Sequence, residues 1–290
     1  MRMPRALAPW LAAAGALAAS PAAAQTVCPA TGSHVSLAPA WIDDTRGGRA
    51  PGLTLSLAAC RPDYDTRPRF PRARHLGLRL DGAVPVTELA IPQNLEASAW
   101  YGLSVSLSER APDDPELDLD AAPDAYAFHY GFLGVGARAQ YETSADFDEQ
   151  ALAGGAELRW VDPRRPLLPS TVVAWDGVKP LVSGVRDTLG LGSDVHSRLG
   201  VRGYWLVPLG RRLRTEIEGG YFWSFGLDDA LEARGWDSGP FVAGELAFAV
   251  DRPLGPLRLT SLFVGYARGQ RPTDGERQRA WTLGAELGVR

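Results

Sequence analysis

From about residue 34 to the C-terminus, apolar residues recur at every second position in runs of about ten residues, with almost no helical spacing between them. In the run 212–224, Leu213, Thr215, Ile217, Gly219, Tyr221 and Trp223 share one face, and Arg212, Arg214, Glu216, Glu218, Gly220, Phe222 and Ser224 share the other. Leu152, Gly154, Ala156, Leu158 and Trp160 alternate in the same way with Ala153, Gly155, Glu157 and Arg159. Near the end of the chain, Trp281, Leu283, Ala285, Leu287 and Val289 alternate with Thr282, Gly284, Glu286, Gly288 and Arg290. Successive side chains of an extended strand point to opposite sides, so each run is a ribbon with one greasy and one ionic face. About twelve such segments are predicted: 34–42, 52–60, 75–83, 99–109, 126–141, 148–161, 169–176, 194–208, 212–225, 239–250, 256–268 and 279–289. The alternation is weakest in the first four and the seventh. No domain boundary or strict internal repeat divides them.

Two-faced strands can pack grease-inward, as in a soluble periplasmic sandwich or lipocalin, or grease-outward, as in a transmembrane antiparallel up-and-down β-barrel. Three features favour the barrel. After Trp160 the gaps 162–168, 209–211 and 251–255 are short, and the alternate gaps 177–193, 226–238 and 269–278 are longer, matching barrels with short turns at one end and long loops at the other. Before residue 126 the gaps 61–74 and 110–125 break this rule. Aromatic residues on the apolar faces sort toward strand ends: Trp41, Tyr101, Tyr141, Tyr221, Trp223 and Trp281 toward one end, Trp160, Trp205 and Phe248 toward the other. That is the two-girdle pattern of rings at headgroup level. Finally, Arg79, Arg138, Glu157, Arg159, Arg198, Arg202, Glu216, Glu218, Glu245, Arg258 and Glu286 all fall on the opposite face. An arginine facing lipid at midplane costs about 2–4 kcal/mol, and several would exceed a domain's whole stability of about 5–15 kcal/mol.

Residues 1–24 read as a secretory signal peptide. Arg2 and Arg5 precede an apolar run from Leu7 to Ala19, and Ala22 and Ala24 satisfy the small-residue cleavage rule, so residues 25–290 form the expected barrel. Removing Arg2 and Arg5 takes the formal charge from -4 to -6, and no basic patch suggests a nucleic-acid partner. No later stretch holds 18 consecutive apolar residues, so a mature chain that enters lipid must do so as a closed barrel. The expected location is the cell outer membrane.

The terminal run Thr282, Gly284, Leu287, Val289 resembles the C-terminal signal of Gram-negative outer-membrane β-barrel proteins: a polar residue, a glycine two on, then alternating hydrophobic residues. The resemblance implies outer-membrane lipid as surroundings and the barrel-assembly machinery as a transient partner. The chain departs from the usual aromatic last residue, ending instead on Arg290. Cys28 and Cys60 are both expected at the barrel end that carries the termini, where a disulfide could pin the N-terminal segment.

Chemistry-bearing motifs are sparse. A lipid-modifying hydrolase needs a serine within reach of a histidine, but adjacent His196 and Ser197 point to opposite strand faces. His34, His75 and His129 carry no hydrolase signature. The run Asp113, Asp114, Glu116, Asp118, Asp120, Asp124 lacks the glycine and terminal glutamate of a calcium loop and reads as a solvated loop. No catalytic residue, metal ligand or cofactor is expected. The functional signal is the wall charge: Arg138, Glu157, Arg159, Arg198, Arg202, Arg212, Arg214, Glu216, Glu218, Glu245, Arg258 and Glu286 are the expected lumen-lining residues. They suit either a narrow porin-like channel for small polar solutes or a salt-bridged structural or surface-binding barrel.

Overall fold

The computed structural model describes residues 33–44, 49–65, 68–85, 94–109, 131–144, 147, 149–162, 168–210, 212–255, 257–270 and 277–289. The proposed leader, Cys28, His129 and the acidic run 113–124 lie outside the described residues. Twelve strands follow in order: β1 (Ser33–Asp44), β2 (Arg49–Asp65), β3 (Arg72–Pro85), β4 (Asn94–Ser106), β5 (Phe132–Ser144), β6 (Glu149–Val161), β7 (Ser170–Ser183), β8 (His196–Pro208), β9 (Leu213–Phe225), β10 (Ser238–Leu254), β11 (Leu257–Gln270) and β12 (Arg277–Val289). Each pairs antiparallel with its sequence neighbours, and β1 closes on β12 from His34↔Gly288 to Asp44↔Gln278. Closure pairs every strand on both sides around the barrel, so within that paired belt the ladder satisfies the backbone groups without water. The expected all-β up-and-down barrel is therefore the observed one.

The side chains sort as the alternation requires. Leu76, Leu78, Val135, Leu158, Ile217, Leu246, Val264 and Leu283 are exposed on the outer surface, while the residues between them are buried or half-buried. The outer surface also carries Tyr101, Trp175, Tyr221, Trp223, Phe225 and Trp281. Trp175 stacks on Phe225 at 6.1 Å, and Tyr221 meets Trp223 at 4.7 Å. Tyr101 lies past the middle of β4 rather than at its start, because that strand begins at Asn94 and not at residue 99.

Several strands run beyond their expected bounds, each for a local reason. β7 continues through Pro180 to Ser183 because its last partner on β8 is the pair Val178↔His196. Above that level β7 is an edge paired only with β6, where a residue lacking an N–H is tolerated. β10 passes its expected end at 250 through a bulge between Ala249 and Arg252, with Asp251 in the left-handed region at φ 54. β2 reaches Asp65 and β3 starts at Arg72, so the long gap expected at 61–74 shrinks to 66–71. β5 begins at Phe132 rather than 126, and the chain between β4 and β5 remains the longest connection. The start of β1, the end of β4 and the end of β12 mark one end of the barrel, the lower end.

Candidate functional site

The inner wall is ionic, and its pairs join strands that are not neighbours. Arg138, Gly155, Asp176 and Arg198 lie side by side in one register row across β5, β6, β7 and β8. Gly155 leaves the middle of that row bare. A Cβ there would run into the Trp175 carbonyl. The Arg138 side chain crosses this gap and donates Nε–H to Asp176 Oδ1 at 2.8 Å, with a second bond to Oδ2. Arg198 grips Glu142 with both terminal nitrogens, at 2.6 and 3.2 Å, and its Nε lies 3.8 Å from Asp176. Gln140 donates to the same Glu142 carboxylate at 2.6 Å. The two arginines and two carboxylates balance in charge, and fork-to-carboxylate geometry makes such contacts strong.

A second network spans β9 to β12, and shorter pairs lie on β6 and between β8 and β9. Arg214 on β9 lies 3.0 Å from Glu216 and donates to Glu286 on β12 at 3.1 Å, spanning β10 and β11. Ser261 donates to Glu286 at 2.5 Å, and Glu245 sits opposite Glu216 in the β9–β10 register. Arg159 donates to Glu157 at 2.6 Å along β6, and Arg202 lies 3.9 Å from Glu218. Gly220, opposite Arg202, makes room for it, since a Cβ there would approach Arg202 Cγ to 3.2 Å.

Ten of the twelve residues expected to line the interior occupy the inner faces of β5, β6, β8, β9, β10 and β12. Arg258 and Arg212 lie at the exposed lower rim. Arg258 pairs there with Asp251, where the bulges near Ala249 and Leu259 shift the register and align Arg258 with Gly288 of β12. Arg212 is exposed in the turn before β9. Glu142 and Asp176, the carboxylates at the centre of the first network, were not singled out from sequence. They sit at or just past the expected ends of strands five and seven, and extending the alternation through those ends would have placed both on the ionic face.

Among the described residues, His75 and His196 form no hydrolytic site open to lipid. His196 is buried on the inner face while Ser197 points the other way. His75 Nε2 does lie 3.0 Å from Ser104 Oγ, but both are buried inside the barrel, where a membrane lipid has no approach. Cys60, near the lower part of β2, is disulfide-bonded.

At the upper mouth two connections fold inward. α1 (Gly184–Thr188), capped by the Ser183 hydroxyl, leads out of β7, and α2 (Asp229–Glu232) stands between β9 and β10 with Leu231 fully buried. The buried Arg186 ties them together, donating to Gly192 O at 3.0 Å and to Asp228 Oδ2 at 3.2 Å. Between these segments and the wall lies a small recess of about 20 Å³, lined by residues including Gln150, Pro180, Arg186, His196, Leu227 and Trp236. Arg186→Ala removes a charge-assisted bond of about 1.5–3 kcal/mol. Trypsin is expected to cut after the exposed Arg234 about tenfold faster in this variant, read by mass spectrometry. An unchanged rate would mean that the ion pair does not hold the segment.

A closed twelve-stranded antiparallel barrel, apolar outside and ion-paired inside, defines a transmembrane β-barrel of the Gram-negative outer-membrane class. No protein-family model and no curated protein sequence matches the chain. Among solved structures it is similar to the NanC porin at 7% identity and a TM-score of 0.46, covering 89% of this chain and 99% of that one. It is also similar to an outer membrane channel from Pseudomonas putida F1 at 10% identity and a TM-score of 0.42, covering 93% and 100%. A third match is OccK11 (OpdR) of Pseudomonas aeruginosa, at 9% identity and a TM-score of 0.36, covering 89% and 96%.

Proposed function

We propose that the barrel is a narrow channel that passes small polar solutes across the outer membrane. One observation carries this reading. Arg202 sits halfway along β8 on the inner face, yet its side chain is 45% exposed. Arg214, near the lower mouth, is 38% exposed. Water therefore reaches the interior at mid-depth, which a fully salt-bridged plug does not permit. The rest of the wall is close-packed, with Phe132, Phe222 and Phe263 buried on inner faces, so the path is tight.

Reconstitution into planar bilayers tests this. Discrete conductance steps are expected, and their size should change in Arg214→Glu, which reverses a wall charge. A gel on unboiled samples certifies folding, because a closed barrel migrates differently until it is boiled. Folded barrel that gives no steps would overturn the channel and favour the structural barrel.

The same reading includes a cleaved leader at residues 1–24, a bond from Cys60 to Cys28, a surround of outer-membrane lipid and insertion by the barrel-assembly machinery through the terminal Thr282–Val289 run. Cys28→Ser is expected to abolish the change in unboiled mobility that reductant produces in the parent chain. A reductant effect that persists in Cys28→Ser would disprove the pairing.

A further inference from the structure

The wall charges are not equally visible to water in the interior. At the rims the carboxylate is the more exposed partner, in Arg186–Asp228 and Arg258–Asp251, but along the inner wall it is the guanidinium: Arg202 is 45% exposed against 6% for Glu218, and Arg214 38% against 4% for Glu216. Arg138 follows the pattern, 16% against 1% for Asp176. Counting formal charges points the other way, since carboxylates outnumber guanidinium groups on the inner faces of the described strands. Geometry decides between the two. A carboxylate buried behind its arginine presents little surface to a passing cation. A guanidinium has five N–H donors, and binding a carboxylate along one edge leaves others free. A solute anion can accept those free donors without breaking the pair, whereas a cation must first displace an arginine.

We infer, resting on the channel reading above, that the lumen favours small anions over cations, and that its preferred solutes carry a carboxylate or a similar oxyanion. Arg202 at mid-depth and Arg214 toward the lower mouth are the two groups that meet the anion, acting as successive contact points.

The test is the reversal potential of the purified, folded barrel in a planar bilayer under a potassium chloride gradient. Chloride is expected to permeate about fivefold better than potassium, the ratio that one exposed charge contributing about 1 kcal/mol supplies. Arg202→Gln together with Arg214→Gln should bring the ratio to about one or below. Acetate or lactate added on one side should lower the chloride current in the parent and much less in the double variant. A wild-type ratio at or below one overturns the anion preference while leaving the channel intact, and a ratio unmoved by the double substitution overturns the assignment to these two arginines. Absence of any current through folded barrel is a different result, which removes the channel itself.

Discussion

Asp176→Ala is expected to lower the stability of the barrel by about 3–5 kcal/mol, the usual cost of taking one partner from a buried ion pair. Asp176 accepts two bonds from Arg138 and lies 3.8 Å from Arg198, so its loss strands Arg138 and weakens the hold on Arg198 at once. Neither guanidinium can shed its proton at any working pH, so the charge must be buried unpaired or the wall must open to admit water. Replacing both members, Arg138→Met with Asp176→Leu, removes the charge together with its partner and should recover most of the loss. Reversible urea unfolding from lipid vesicles, followed by tryptophan fluorescence, measures each variant. A loss below about 1 kcal/mol for Asp176→Ala would mean that water already solvates the site and that the row across Gly155 does not hold the wall together.

Leu246→Arg carries the second large effect. Leu246 is at the centre of β10 and exposed on the outer surface, flanked in register by Val264 and then Leu283. An arginine at that depth faces hydrocarbon and is expected to cost about 2–4 kcal/mol. The same change at Leu254, at the lower end of the strand, should cost about 0–1 kcal/mol because the headgroup region solvates it. The contrast between the two variants is the measurement that matters. Equal costs would mean that the outer belt is not in contact with lipid, and with it would go the membrane assignment.

How much of this was legible beforehand depends on the range over which each feature is encoded. The outward position of Leu158 and the inward position of Glu157 follow from a period of two that needs no knowledge of the rest of the molecule. Strand ends were harder to read. Pro180 looks like a terminator until β8 is seen to end below it, and Asp251 looks like a turn until a bulge with positive φ carries β10 past it. Ending strand seven at Asp176 also hid chemistry, because it left that residue looking terminal rather than at the centre of a network.

By itself the sequence determined the sorting of side chains into a greasy and an ionic face, because alternation is local and an unpaired charge in lipid costs too much to be tolerated often. Only the tertiary structure decided which charges meet. Arg138 reaches Asp176 across β6, Arg198 reaches Glu142 across two strands, and Arg214 reaches Glu286 across β10 and β11. These partners follow from the register of each pair and from the closure of β1 on β12. Closure is a property of all twelve strands at once, so no single run of residues could have specified it.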